Sequence, residues 1–131
     1  MRGCKDSPPD QLVEGLRQFN DGEYFACHET LEALWLAEKG PVREVYQGIL
    51  QVAVGLYHRQ RGNYTGAVSL LRSGIRRLMQ APHTCQGIDM AQLAQQATTC
   101  LAEVERLGVA RMAELDARFV PKVRLIGSAG A

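Results

Sequence analysis

The chain has 131 residues, of which 46% are hydrophobic and 22% are charged, and 15 basic against 14 acidic residues give a formal net charge of +1. This composition is ordinary for a globular domain and excludes a disordered chain, and the length allows a real core without metals or disulfides. The near balance of charge excludes an overall field that would draw the protein to nucleic acid or anionic lipid.

The first predicted helix begins in the segment "SPPD" at residues 7–10, where Ser7 can cap free N–H groups and the prolines need no N–H. Its predicted apolar stripe consists of Leu12, Val13, Leu16 and Phe19. The segment "NDG" at residues 20–22 ends this helix, and a second helix is predicted over about 24–38.

The dipeptide "GP" at residues 40–41 separates the second helix from a third, which continues to about Arg61. Residues 42–57 are apolar or small around nearly the whole circumference, so we expect this helix to be central and buried. Gly48 and Gly55 on it predict close approach of another backbone. A fourth helix then follows over about 64–80, after the cap "GN".

Residues 81–88 are predicted to form a loop, and Asp89 with Gln92 resembles a capping box for a fifth helix that reaches Leu107. A short helix is predicted after Gly108, through residue 119. Pro121 favours an extended tail over 120–126, and the end, 127–131, is expected to fray.

No segment shows the period-two alternation of a half-buried strand over a convincing length. The predicted fold class is therefore all-α. We expect a compact array of five to six helices, built from antiparallel helical hairpins around the buried third helix. We also expect one domain over residues 1–131, with its core at about 8–119.

The segment "YFACHETLEALW" at residues 24–35 places a histidine and two glutamates inside a helix that otherwise resembles core. On a wheel that advances about 100° per residue, His28 and Glu32 lie one turn apart between apolar neighbours. We therefore predict that both side chains face inward. Glu29 falls at the rim of the wheel and is predicted to be solvated.

The third helix carries a polar stripe of Gln47, Gln51 and His58, spaced by four and seven residues. A buried amide or imidazole without a partner costs roughly 1–3 kcal/mol, so partners are expected. His28 and Glu32 on the second helix are the candidates. The sequence thus predicts a polar clasp, a buried hydrogen-bonded cluster of these five side chains that fixes the register of the two helices and has no chemistry.

The segments "FNDGEYFACHETLEALW", "VYQGILQVAVGLYHRQRGN" and "GAVSLLRSGIRRL" together resemble a family of bacterial and archaeal helical proteins, the domain of unknown function 309. The resemblance covers roughly residues 12–80, and "FVPKVRL" is similar to the usual tail of the family. It implies a compact multihelical fold and, by the family's name, no established activity. It also implies the motif residues Tyr24, His28, Glu29, Glu32, Trp35, Gln47, Gln51, His58, Gly62 and Asn63. Ala26 departs from the family, which commonly has glutamate there.

A metal site is the alternative to the polar clasp. His28 and Glu32 at i, i+4 and His58 on the neighbouring helix could hold a single divalent metal with an open position, as in a metal-dependent hydrolase or oxidoreductase. Against this alternative, "HETLE" reads His-Glu-x-x-Glu, with glutamate where the zinc motif has its second histidine. We therefore expect no cofactor.

Arg72 and Arg76 lie one turn apart on the fourth helix and could grip an anion jointly. The more ordinary interpretation is a solvated face paired with glutamates. Because the chain has no aromatic residues interleaved with this basic cluster and no motif that reads bases, nucleic-acid binding is not expected.

The four cysteines, Cys4, Cys27, Cys85 and Cys100, show neither a C-x-x-C pair nor a zinc spacing. This pattern predicts reduced thiols in a cytoplasmic protein and no disulfide framework. No apolar run approaches the roughly 20 residues that span a bilayer, so no membrane association is expected.

The sequence offers no activated serine or cysteine nucleophile and no Gly-rich phosphate loop, so no catalytic residue is predicted and enzymatic activity stays open. We expect a small cytoplasmic helical protein that serves as a non-catalytic binding or scaffolding module. Trp35 on the apolar second helix suggests a face for an unknown protein partner or for self-association.

Overall fold

Five α-helices make up most of the computed structural model, which describes residues 3–126. The helices are α1 (Asp10–Asn20), α2 (Tyr24–Ala37), α3 (Val42–Gln60), α4 (Tyr64–Met79) and α5 (Met90–Arg111). Each helix packs against the next along the chain. The predicted all-α class is confirmed, as are the first four helices to within one residue at most boundaries. The predicted fraying of 127–131 lies outside the described residues.

The start of α1 is confirmed, but its predicted cap is wrong. Pro9 occupies the N-cap position, without any side-chain cap, and Ser7 is exposed. Of the predicted stripe, Val13 is also wrong, because its side chain is 40% exposed while the other three members are buried. The α1 helix therefore begins where proline rigidity and Asp10 favour it, and not through a hydroxyl cap.

The predicted burial of α3 is confirmed. Nine of its 19 residues are buried, and they face both α2 and α4: Val42, Val45, Tyr46, Gly48, Ile49, Val52, Ala53, Gly55 and Leu56. The α2 and α4 helices pack directly against it, and α1 and α5 pack against α2 and α4 in turn. No helix in the described residues 3–126 has the length and apolar character needed to cross a membrane.

Glycines bring α3 and α4 into backbone contact. A methyl group on Gly74 would lie 2.9 Å from the carbonyl oxygen of Gly48 and 2.9 Å from the backbone nitrogen of Val52. A methyl group on Gly55 would lie 3.0 Å from the backbone nitrogen of Leu71. These distances leave no room for a side chain, so the glycines allow α3 and α4 to pack backbone against backbone.

Two predicted N-caps are confirmed. The Asn63 Oδ1 atom accepts a hydrogen bond from Gly66 N at 3.0 Å, and the Asp89 Oδ1 atom accepts one from Gln92 N at 3.0 Å. In a capping box the Gln92 side chain would accept a hydrogen bond from Asp89 N. Here Asp89 N donates instead to the carbonyl oxygen of Arg124 at 2.9 Å. The tail thus supplies the acceptor that the Gln92 side chain would have supplied.

The predicted loop at 81–88 contains a small antiparallel hairpin, which the sequence prediction missed. Strand β1 (Thr84–Cys85) pairs with strand β2 (Ile88–Asp89). Gln86 and Gly87 between them have φ angles of 48° and 79°, as the central residues of a type I′ turn do. Strands of two residues are too short to show an alternating pattern.

The prediction for the cysteines is half wrong. Cys4 and Cys85 form a disulfide, while Cys27 and Cys100 are free and buried. The disulfide fastens the N-terminal segment to β1, and Gln86 N donates a further hydrogen bond to the carbonyl oxygen of Cys4 at 2.6 Å. A separation of 81 residues has no local spacing signature, so the sequence alone could not reveal this pairing.

The region after α5 differs in detail from the prediction. Helical residues continue to Arg111 across Gly108, whose φ of 74° and ψ of −176° break the helix where the prediction ended it. Two 3₁₀ turns, Met112–Glu114 and Ala117–Phe119, replace the predicted short helix. The tail is extended as predicted, and Asn20 holds it through hydrogen bonds to both Val123 N (2.7 Å) and Val123 O (2.9 Å).

We expect the substitution Gly74→Ala to lower the free energy of unfolding by roughly 1–3 kcal/mol, because the added methyl group forces α4 away from the α3 backbone. The cost of this collision should exceed the stabilisation of about 1 kcal/mol that alanine gives over glycine inside a helix. Urea denaturation measures the change. Ser69→Ala, exposed on the same helix, is the control, and an unchanged or raised stability for Gly74→Ala would contradict the close contact.

We expect the substitution Cys4→Ser to lower the free energy of unfolding by roughly 2–5 kcal/mol, because it opens a closed loop of more than 80 residues. Denaturation with and without dithiothreitol measures the effect. Reductant should lower the free energy of unfolding of the native chain to that of the variant and leave that of the variant unchanged. Equal stability of the native chain in both conditions would rule out the disulfide.

Candidate functional site

An apolar pocket opens between the start of α2 and the end of α3. Its walls are Tyr24, Phe25, His28, Val54, Tyr57 and His58, and we call it the aromatic pocket. Its cavity volume is about 120 Å³. The Phe25 ring centroid lies 5.6 Å from that of Tyr57 and 6.0 Å from that of His28. The two predicted inward histidines therefore share one cavity, and aromatic rings separate them.

Glu32 does not face inward, so this part of the prediction is wrong. Its Oε2 atom lies 3.5 Å from His28 Nε2, but the Glu32 side chain is 49% exposed and the His28 side chain 29% exposed. The wheel misplaced Glu32 because it counted Phe25 and Leu36 as core, whereas these side chains are 53% and 63% exposed. Glu29 is exposed, as predicted.

The polar stripe on α3 does not close a clasp with α2. The Gln51 Oε1 atom accepts a hydrogen bond from Arg77 Nε at 3.1 Å, and Arg77 also forms an ion pair with Glu44 at 2.8 Å. Gln51 therefore faces α4. Gln47 is half-buried on the same helix. The predicted clasp is wrong in its pairing, since most of these polar groups find partners on α4 or within their own helix.

His58 also finds its partner at the start of α4. Its Nδ1 atom lies 3.3 Å from the Nδ2 atom of Asn63, the N-cap of that helix. Gly66 packs against the same imidazole, because a methyl group there would lie 2.8 Å from His58 Cγ. The ring is thus held in place by the first turn of α4, and His58 is one of the six residues that line the aromatic pocket.

Trp35 is half-buried at the opposite end of α2, away from the aromatic pocket. The Arg43 guanidinium lies 4.2 Å from the centre of the indole ring, and Arg43 Nε donates to the carbonyl oxygen of Trp35 at 3.2 Å. This cation–π contact joins the end of α2 to the start of α3. Trp35 therefore stabilises the contact between α2 and α3, and its ring is covered by Arg43 and does not form a free face for a partner.

The residues of the metal alternative do not form a binding group. Within residues 3–126, no three or more side chains of His, Cys, Asp or Glu are close enough together to hold a metal ion. His28 contacts Glu32 in a solvent-exposed pair, whereas His58 is engaged by an amide. The donor set thus fails the geometry that a three-ligand site needs.

The two arginines of the anion alternative line one shallow groove on the outer face of α4. Arg72 already forms an ion pair with Glu105 of α5. Arg76 is exposed one turn further along. Because Glu105 neutralises Arg72, the pair offers an anion less charge than the sequence suggested.

The free thiols of Cys27 and Cys100 belong to the core. Burial raises the pKa of Cys27 to about 12 and the pKa of Cys100 to about 11. Burial also raises the pKa of the neighbouring Tyr24 to about 12. These groups stay protonated at neutral pH, so neither thiol can act as a nucleophile.

Sequence reasoning missed the role of Phe25 and did not single out Val54 or Tyr57. On a helical wheel Phe25 lies about 100° from Tyr24, on the side away from Cys27 and Leu31, and Leu36 is the apolar residue near it. An isolated apolar position on the far side of a helix indicates a second contact surface.

Comparisons with known proteins agree with the resemblance seen in the sequence. The model of the family described as a domain of unknown function, number 309, matches residues 12–70. The chain is 33% identical over 102 residues to the uncharacterized protein YpuF of Bacillus subtilis (strain 168), which covers 74% of this chain and 58% of that protein. It is 23% identical over 83 residues to an uncharacterized protein of Aquifex aeolicus (strain VF5), which covers 63% of this chain and 25% of that protein. The chain thus spans little more than half of one relative and a quarter of the other.

We expect the substitution Glu32→Gln to change the free energy of unfolding by less than about 0.5 kcal/mol, because the pair with His28 is solvent-exposed. Asn63→Ala should cost about 1 kcal/mol, because it removes the cap of α4 and the partner of His58. Urea denaturation of both variants measures the difference. A loss above about 1 kcal/mol for Glu32→Gln would instead support the buried polar clasp that the sequence predicted.

Proposed function

We propose that the protein, whose residues 12–70 match the model of the domain of unknown function 309, is a non-catalytic helical binding module that docks a partner protein on α2. Both relatives are uncharacterized, so the proposal depends on the geometry of this chain.

The exposure of α2 carries the proposal. The helix is apolar on nearly every side, yet only Tyr24, Cys27 and Leu31 of its 14 residues are buried. A helix with this composition is normally enclosed by other elements. On α2 the side chains of Phe25 and Leu36 stand in solvent instead. An apolar surface of this kind is typical of a binding face.

The aromatic pocket gives this face a specific anchor point. Apolar cavities of about 150 Å³ in other proteins bind benzene, and the pocket has a volume of about 120 Å³ and opens to solvent. It therefore has room for one aromatic or branched side chain. Interfaces commonly concentrate their binding energy in one such buried anchor.

The charge on α2 selects the kind of partner. The helix carries Glu29 and Glu32 and has no lysine or arginine, and Glu23 precedes it. A second copy of this chain would bring like charges together if two α2 faces met. Charge complementarity instead favours a different protein, in which an aromatic side chain is flanked by lysine or arginine.

Within residues 3–126 no observation favours the enzyme alternative, because His28 and Glu32 pair with each other while His58 pairs with Asn63. We accordingly propose neither a metal nor another cofactor.

We propose a cytoplasmic location on the ground that two of the four cysteines, Cys27 and Cys100, are free thiols. The Cys4–Cys85 disulfide argues against a strongly reducing compartment. Alkylation of free thiols in the intact cell measures the oxidation state of this pair. The result would decide between the cytoplasm and an oxidising compartment.

We expect tyramine to bind the aromatic pocket roughly two- to fivefold more tightly than 4-hydroxyphenylacetate. The two compounds share a ring but carry opposite charges, and an exposed charge pair contributes up to about 1 kcal/mol. Amide chemical-shift titration measures both affinities. Phe25→Ala should weaken the binding of both compounds. Met79→Ala removes an exposed apolar side chain at the end of α4 and should leave the binding of both compounds unchanged.

Binding of neither compound near residues 24–28 and 54–58 would contradict the proposal. Sedimentation of the native chain tests the competing occupant. A stable dimer that Phe25→Glu dissociates would show that a second copy covers the face.

A further inference from the structure

The Cys4–Cys85 disulfide holds the N-terminal segment, residues 3–8, which we call the strap. Within residues 3–126, a single hydrogen bond joins the strap to the rest of the chain besides this covalent bond, and it runs from Gln86 N to the carbonyl oxygen of Cys4 at 2.6 Å. The other hydrogen bonds of the strap are internal. A segment with so few polar contacts depends on the disulfide for its position.

The β1–β2 hairpin, which contains Cys85, is held by groups outside the strap. The carbonyl oxygen of Gly87 accepts a hydrogen bond from Ile126 N in the tail at 2.6 Å. The Gln86 side chain is buried, and its Oε1 atom accepts a hydrogen bond from Tyr46 Oη of α3 at 2.8 Å. When the disulfide opens, the hairpin therefore keeps its position, and the strap is the part that moves.

The two cysteines of the pair differ in exposure. Cys4 is partly exposed, whereas Cys85 is fully buried. A dissolved thiol therefore approaches the bond from the side of Cys4. Disulfides that solvent can reach are commonly the labile or regulatory ones, in contrast to bonds sealed in a core.

The other two cysteines cannot exchange with this pair. Cys27 and Cys100 are free and buried, and burial raises their pKa values to about 12 and about 11. Thiol–disulfide exchange requires a thiolate, and these thiols stay protonated at neutral pH. The pair thus has two states within the chain, the closed disulfide and two thiols, without reshuffled forms.

From these contacts we infer that the Cys4–Cys85 pair is a redox switch, which fastens the strap to the β1–β2 hairpin when it is oxidised and frees the strap when it is reduced, while the helices stay folded. A chain of this length can form its core without a disulfide, and the helices pack on one another through apolar side chains. The inference does not depend on the proposed docking role of α2.

Reduction takes a dithiol as its co-reactant. One thiolate of the dithiol attacks Cys4 Sγ, the sulfur–sulfur bond breaks, and its electron pair leaves on Cys85 Sγ. The second thiolate then attacks the mixed disulfide, which releases Cys4 Sγ and closes the dithiol into a cyclic disulfide. The two protons that the dithiol loses balance those that the two cysteines take up. A small-molecule disulfide reverses the reaction.

Amide hydrogen exchange of the native chain, with and without dithiothreitol, tests the switch. Gln86 N–H loses its acceptor when the strap leaves, so reduction should speed its exchange by about tenfold or more. Asp89 N–H, which donates to the carbonyl oxygen of Arg124, and the amides of α3 should keep their rates. Glutathione disulfide, added after dithiothreitol is removed, should restore slow exchange at Gln86.

Two variants serve as controls. Cys4→Ser should show fast exchange at Gln86 in both conditions, because the covalent bond is absent. Lys5→Ser changes an exposed residue of the strap and keeps the disulfide, so it should behave as the native chain does. Alkylation after denaturation should count two free thiols in the oxidised native chain and four in the reduced one.

Unchanged exchange at Gln86 after reduction would show that the strap keeps its place without the bond. Faster exchange at Asp89 and throughout α3 would show that the bond supports the whole fold. Either result would overturn the switch, as would failure of dithiothreitol to open the bond in the folded chain or of glutathione disulfide to close it again.

Discussion

The backbone contact between α3 and α4 is the constraint on which the arrangement of the other helices depends. Gly48, Gly55 and Gly74 let the two helices approach closely because a side chain at any of these positions would collide with the facing helix. This close pair places α3 at the centre, where α2 packs against its second side. The main neighbours of α2 are then α1 and α3, and the side chains of Phe25 and Leu36 on its outer face stay in solvent. The exposed apolar surface is thus a consequence of how tightly the central pair is closed.

The same pairing explains where the polar groups of α3 point. Arg77 of α4 engages Gln51, and Asn63 at the cap of α4 engages His58. The polar stripe that looked like a connection from α3 to α2 therefore connects α3 mainly to α4. This assignment leaves the α2–α3 interface largely apolar at its open end. A cavity lined by rings could form there because the polar partners were already used elsewhere.

Local signals in the sequence predicted what depends on local chemistry. The caps at Asn63 and Asp89 and the burial of α3 follow from neighbouring residues, and they were predicted. The Cys4–Cys85 disulfide and the short β1–β2 hairpin depend on distant residues meeting, so no window of sequence contains them. The inward placement of Glu32 failed for another reason. A helical wheel gives angles between side chains, but which sector faces the core depends on the neighbouring helices.

The disulfide also has a topological meaning. It closes the chain from Cys4 to Cys85 into a covalent ring that contains α1, α2, α3 and α4. Tension applied between the two ends of the chain would enter this ring at Cys4 and leave it at Cys85, so the four helices would carry none of it. Only the part that follows Cys85, with α5 and the tail, could be drawn out, and the extended length would be shorter by about 280 Å than that of the open chain. A single covalent bond therefore decides whether α2 can be unfolded mechanically at all.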